Sequence, residues 1–288
     1  MYSTQYTSSD TLAQEGSVAV DLVDWAVLNF SQVNDWAKEV FDAVKKGVVS
    51  RPEQHSKYWK TIYLYAMFGR CQDALQMLET HARKEESAFR SLAELLRKIP
   101  FETLAVDDSE WTLWREECRR RLTERHYSSY PELEVLVKIL CGEPSCFSDS
   151  GNLLRTWYEA LVPVVLYQYP TAKISQLQDL VQDAMKVVPP VGSKTKPDQL
   201  KPLDSVLCAM LEIDIVRALR ELSAKLSNWW LSAHLADLLY HAKCPDLIAP
   251  VRPPVQSISH SLKGTEAGGL TLREHLLLDY AESLFCFN

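Results

Sequence analysis

The chain has 288 residues, 47% hydrophobic and 24% charged, with a net charge of −7. This is too apolar for a disordered chain and enough to build a substantial core in one large domain or two. The acidic balance argues against direct nucleic-acid binding, because an electrostatic hold on phosphate backbones needs clustered surplus Lys and Arg.

The opening MYSTQYTSSD lacks the basic start and apolar run of a signal peptide. Residues 1–17 read as a polar disordered tail, and residues 18–288 as a helical body. Apolar residues at helical period predict helices over about 18–46, 55–67, 71–83, 88–98, 107–126, 131–141, 150–168, 173–187, 203–224, 228–242 and 271–285. With 9 glycines and no run of alternating apolar and polar residues, the chain reads as all-α. Consecutive hairpins, each burying a stripe on the next, predict an irregular α-helical solenoid of stacked helical hairpins. Only Tyr58 to Thr80 resembles a tetratricopeptide unit, so no regular repeat is expected.

Gly69-Arg70 marks a sharp turn, and Pro100, Pro131 and Pro170 mark boundaries. Asp107-Asp108-Ser109 is expected to cap the helix carrying Trp111 and Trp114, which are three residues apart and read as core packing. Glu116 with Arg120 and Glu117 with Arg121 form four-residue pairs that read as a solvated face. The densest apolar segment, Ala160 to Tyr167, falls far short of the roughly 20 residues that cross a bilayer, and Pro163 inside it predicts a kink. Two proline-rich or polar stretches, 189–202 and 244–269, read as loops interrupting the solenoid. Between them, Ser227-Asn228 supplies capping chemistry before Trp229-Trp230, placing a helix junction there with the tryptophan pair as core anchors. Leu231, Leu235, Leu238 and Leu239 read as an apolar stripe facing a core.

The seven cysteines form no CxxC pair and read as reduced apolar fillers. Cys141 and Cys146 read as ordinary thiols flanking a loop. The best metal candidate is His234, His241 and Cys244, which could share a helix face. Against it, His234 lies in an AHLADLL stripe where a satisfied buried histidine is the commoner outcome, so no metal site is expected. No GxSxG elbow, phosphate loop, dinucleotide turn or HExxH helix occurs. Neither catalytic nor cofactor-binding residues are assigned, and the chain reads as a non-enzyme without cofactors.

The stretch Pro202 to Lys243, with PLD, EIDI, KLSNWW and AHLADLL in that order, resembles the eighty-five-kilodalton nucleoporin family of the Y-shaped scaffold complex of the nuclear pore. Five further segments follow in register: Tyr58-Trp59 with Gly69-Arg70, Asp73-Ala74 and Met77-Leu78; Trp111, Trp114 and Glu116-Glu117-Cys118; PELEVLVKILCG from Pro131; Leu153 to Pro170; and Arg273 to Phe285. The resemblance covers roughly residues 20–285. It implies a structural scaffold of the nuclear pore outer ring, located at the nuclear envelope, that supports messenger-RNA and protein transport through contacts with other pore scaffold proteins. It also implies a helical stack related to that of vesicle-coat proteins. In the family a strand-rich blade completes the propeller of a β-propeller partner and the solenoid continues past the segment matching Arg273–Phe285; neither is expected here, so a fragment or shortened form with an uncovered apolar end is expected. The alternative reading is a free-standing helical adaptor that captures peptides or helices.

Overall fold

The computed structural model describes residues 17–101, 103–104, 108–149, 153–190, 200–244, 247 and 270–285. Nearly all of the expected tail and the centres of both expected loops lie outside them. Among the described residues there are fourteen α-helices and no strand. The chain divides into two compact units, one through Pro189 and one from Pro190.

The first unit holds α1 (Val18–Asn29), α2 (Gln32–Lys45), α3 (Tyr58–Met67), α4 (Cys71–Leu78), α5 (Ser87–Arg97), α6 (Ser109–Thr123), α7 (Pro131–Leu140), α8 (Pro144–Asp149), α9 (Trp157–Gln168) and α10 (Leu177–Val187), with 3-10 turns at Pro52–Gln54 and Ile174–Gln176. Neighbours in sequence pack as pairs: α2 with α3, α3 with α4, α4 with α5, α6 with α7, and α9 with α10. The main contacts that skip along the chain are α3 on α7 and α9 on α1, with lesser ones of α5 on α7 and α8 on α10. Helix α9 explains the contact with α1. Its sequence WYEALVPVVLYQ is apolar all round, so it buries on every side rather than on one stripe, and Trp157 and residues 160–167 are all buried. The helix continues through Pro163. Tyr167 inside it donates to the Ala66 carbonyl at 2.6 Å, while Arg115 of α6 donates to the Tyr167 carbonyl at 3.1 Å.

Trp111 and Trp114 pack in the core with ring centroids 5.1 Å apart, and Trp114 donates its indole N–H to the Leu95 carbonyl at 2.9 Å. Helix α6 begins where the acidic run placed it, but the Asp108 side chain makes no capping bond. The pairing on α6 also differs from the expected solvated face. Arg120 bonds Glu117 and Glu124 at the surface. Arg121 turns toward α5, donating to Ser91 O and Oγ at 2.8 and 2.9 Å and pairing with Glu94 at 3.1 Å and Glu117 at 2.6 Å. A guanidinium carries enough donors to serve a carbonyl, a hydroxyl and two carboxylates at once, which ties the two helices together.

Two turns locate the corners of this unit. Gly69 (φ +72) follows α3, with its N–H on the Ala66 carbonyl and the Arg70 N–H on the Tyr65 carbonyl. Gly142 (φ +75) follows α7 with the same pair of bonds, to Ile139 and Lys138. The left-handed residue of this C-terminal turn is commonly glycine. Contact reinforces the choice: a Cβ at Gly142 would stand 2.8 Å from the Tyr167 carbonyl oxygen.

The second unit holds α11 (Pro202–Leu211), α12 (Ile215–Leu226), α13 (Trp229–His241) and α14 (Leu272–Phe285). One buried cluster is Leu219, Ala236, Leu247, Leu272 and Leu276, with Ile215, Val216, Leu235, Leu239, Tyr240 and Cys244 against it, and Val206, Cys208, Ala209 and Leu222 are buried on α11 and α12.

Two expected single helices are each broken. The 18–46 helix stops at Phe30 (φ −108, ψ 53), whose ring leaves the helix to pack on Phe68 at 5.0 Å and Trp25 at 5.1 Å. The 203–224 helix stops at Ile213, which is left-handed (φ +61). There the Ile213 N–H bonds the Met210 carbonyl, the Asp214 N–H bonds the Ala209 carbonyl, and Asp214 caps α12 by accepting from the Arg217 N–H at 3.0 Å. This is the Gly69 turn made without glycine. Helix α8 was not anticipated, and the helix expected over 150–168 begins only at Trp157.

Candidate interaction surface

The junction between α12 and α13 forms where capping chemistry placed it. Ser227 ends α12 in the left-handed region, and the Asn228 side chain accepts from the Leu231 N–H at 3.1 Å. The fate of the two tryptophans differs from the expectation. Trp229 is partly buried, but Trp230 is 56% exposed and is no core anchor. Adjacent helical residues point about 100° apart, so the two cannot share one burial direction. The face of α13 that packs inward is made of Ser232, Ala233 and Ala236, and Ser232 donates to the Leu219 carbonyl at 3.2 Å. Small residues there bring α13 close to α12 and send the large ones outward.

Those large ones line up. Trp230, His234 and Leu238 recur at four-residue spacing on one face, and Leu238 is 67% exposed. The expected leucine stripe therefore splits: Leu235 and Leu239 pack on the core cluster while Leu231 and Leu238 face solvent. His234, expected to be buried, is exposed; its ring stacks on Trp230 at 4.4 Å, and its Nδ1 lies 2.7 Å from the Trp230 carbonyl. Tyr280 of α14 meets His234 edge-on at 5.8 Å, so the aromatic strip crosses from one helix to the next. Helix α14 is docked by Leu272 and Leu276 in the core and by Arg273, which pairs with Asp237 and lies 4.6 Å over the Tyr240 ring. The Arg273 hydrogen bond holds the Asp237 carboxyl below its ordinary value. On the outer side of α14, Leu278, Leu284 and Phe285 are exposed, Phe285 at 81%.

The other candidates separate or go quiet. His241 pairs with Asp237 at 3.7 Å and Cys244 packs on the core cluster, so neither converges with His234. Among the described residues no three His, Cys, Asp or Glu side chains are grouped to hold a metal. Burial pushes the thiols of Cys71, Cys141 and Cys208 up to about 12, with further help at Cys208 from Glu212, and it raises Cys118 further still. A thiol held protonated in this way is a packing group rather than a nucleophile. Ala160 to Tyr167 lies inside the first unit's core, and no described helix is long and apolar enough to cross a membrane.

What the second unit offers chemically is a contact surface: exposed aromatic and aliphatic groups on α13 and α14, interspersed on α14 with the exposed carboxylates Glu274, Asp279 and Glu282. Clustered exposed apolar side chains of this kind mark protein-binding faces more often than isolated ones do. The sequence carried the signal in the small residues 232, 233 and 236, which identify the inward face and leave Trp230 to one side of it.

A family model described as Nup85 Nucleoporin matches residues 3–288. The chain is 33% identical over 282 residues to the nuclear pore complex protein Nup85 of Xenopus tropicalis and 31% identical over 283 residues to that of Homo sapiens, each match covering 95% of this chain and 39% of the relative. It is 20% identical over 229 residues to the nuclear pore complex protein Nup75 of Drosophila melanogaster, covering 78% of this chain and 33% of that protein. The chain thus spans about two-fifths of the length of the Nup85 relatives.

Proposed function

This chain belongs to the Nup85 nucleoporin family, and on that premise we propose that it is a structural scaffold component of the nuclear pore outer ring. In this reading it resides at the nuclear envelope and supports messenger-RNA export and protein import by holding other pore proteins in place. The observation that carries the reading is a family match running nearly end to end through an all-α chain. Its partners are other scaffold proteins, a β-propeller protein among them, and the exposed strip on α13 and α14 supplies one of the contacts. No catalytic step is part of the proposal; the raised thiols and the nuclear pore proteins it resembles support that. A free-standing adaptor is disfavoured by the same match.

The test is localisation and rescue. The full chain, fluorescently tagged, is expected to mark the nuclear rim in cells depleted of their own Nup85 and to relieve part of the resulting nuclear retention of polyadenylated RNA. Diffuse signal with no relief would defeat the scaffold reading.

A further inference from the structure

A cavity of about 310 Å³ opens in the first unit between the 3-10 turn at Pro52–Gln54, the start of α3, the loop after α4, and the start of α7. One part of its wall is aromatic and the rest is polar or charged. Trp59, His81, Phe89 and Tyr130 line it, with His81 stacked on Phe89 at 4.4 Å and tilted against Trp59 at 5.6 Å, and Tyr130 edge-on to Phe89 at 5.3 Å. His81 Nδ1 accepts from the Arg83 N–H at 3.0 Å, and burial lowers the ring's pKa, so the imidazole is a neutral wall.

Glu53 also lines the cavity. One of its carboxylate oxygens, Oε2, is buried and takes no hydrogen bond, and among the described residues no cation pairs with the group. The cations at the mouth do not fill that role. Arg83 pairs with Glu86, which also accepts from the Tyr130 hydroxyl, and lies over the Tyr130 ring at 5.8 Å. Arg51 is exposed. Arg51 and Arg83 and the carboxylates Glu53 and Glu132 line the cavity, but Arg83 is engaged by Glu86 outside that lining, and among the described residues neither Glu53 nor Glu132 has an ion-pair partner.

We propose that this cavity is a receptor for one arginine side chain of a partner protein, its guanidinium laid against the aromatic part of the wall and paired with Glu53. The volume sits at the low end of ligand pockets, roughly 300–1,000 Å³, which suits a single extended side chain. Aromatic faces attract cations. Between the two basic side chains, guanidinium is favoured because it is planar, is less strongly hydrated than ammonium, and can stack while donating to a carboxylate. The inference rests on the cavity itself and takes from the scaffold reading only that the arginine comes from a protein.

The test uses the full chain and N-acetyl-arginine amide as the probe, followed at the Trp59 indole N–H by NMR, with Trp59→Phe assigning the signal. A saturable shift is expected, at least about tenfold weaker for the neutral isostere N-acetyl-citrulline amide and also weaker for N-acetyl-lysine amide. Glu53→Gln, checked for an unchanged melting temperature, is expected to abolish the preference for arginine over citrulline. Should that variant fold poorly, the comparison of the three probes on the unaltered chain decides. No saturable shift at tens of millimolar, equal binding of the citrulline probe, or tighter binding of the lysine probe would overturn the proposal, and each can occur whether or not the chain reaches the nuclear rim.

Discussion

The first unit ends α3 and α7 on glycine, at positions 69 and 142, and fills the space behind them with Trp111, Trp157, Tyr58, Tyr127 and Tyr167, all fully buried. The second ends α11 on Ile213 and α13 on Lys243, both left-handed with side chains, and among its described residues no aromatic side chain is buried. Most of the large apolar side chains left exposed among the described residues belong to the second unit, although it is the smaller. Both units use the same C-terminal turn with the same pair of backbone bonds. The difference is therefore not in the helical hairpin but in what each unit does with its large side chains. One spends them on its own interior, whereas the other carries them outward, where their burial is available to a partner.

The largest expected effect tests the closed interior. Trp111→Ala should destabilise the first unit by about 3–5 kcal/mol, the usual cost of removing a buried tryptophan, read as a lowered midpoint in urea. Leu219→Ala in the second unit should cost about 2–5 kcal/mol. If the Trp111 variant lost less than the Leu219 variant, the contrast between a well-filled and a sparse core would fail.

The turns sharpen the comparison with opposite signs. Gly142→Ala places a Cβ 2.8 Å from the Tyr167 carbonyl oxygen at a positive φ, and backbone cannot step aside as a flexible side chain can. A loss of about 1–3 kcal/mol is expected, in the range for a residue held in sparsely populated dihedrals. Ile213→Gly removes a β-branched side chain from φ +61, where it is 47% exposed, and should stabilise by up to about 1 kcal/mol. Thermal melts of both variants check the pair, and a destabilised Ile213→Gly would mean that the isoleucine contributes packing that outweighs its strain.

These same turns explain what could be read from sequence. Gly69 announced its corner because glycine is the usual left-handed residue, whereas Ile213 gave no such signal, so α11 and α12 read as one helix. The Phe30 break was hidden for a different reason: aromatic packing on Phe68 and Trp25, distant or unremarkable in sequence, ends α1. Helix period identified the all-α class and most of the core, including Trp111 and Trp114. It could not say which of two adjacent tryptophans faces inward. Nor could it bring Glu53, His81 and Tyr130 to one cavity, since only tertiary packing joins them.

Acid should act on the first unit through α6. Hydrogen bonds from Arg120 and Arg121 lower the Glu117 carboxyl to about 2, and through Arg121 this carboxylate belongs to the link between α5 and α6. A carboxylate with a depressed folded-state pKa contributes stability that is present in full above its unfolded value, about 4.3, and is lost as pH falls through the folded one. Glu117→Gln should therefore lower the melting temperature by a few degrees at pH 7 and have little effect near pH 2. A difference independent of pH would show that the side chain acts by packing.

The smallest expected stability effect carries the most weight for function. Trp230 is exposed, and what it touches is the outward strip itself: the His234 ring at 4.4 Å and, through it, Tyr280. Stacked aromatic pairs contribute about 0.5–1.5 kcal/mol beyond buried area, and solvent-facing ones belong at the low end, so Trp230→Ala should cost less than about 1 kcal/mol. A core tryptophan could not be removed so cheaply, which makes the measurement decisive between the two roles. If Trp230→Ala melts like the unaltered chain but the tagged variant marks the nuclear rim more weakly, the strip is a contact surface whose apolar area is buried by a partner. If instead it unfolds as Trp111→Ala does, Trp230 is structural, and the contrast between an inward-facing and an outward-facing unit loses its best-placed residue.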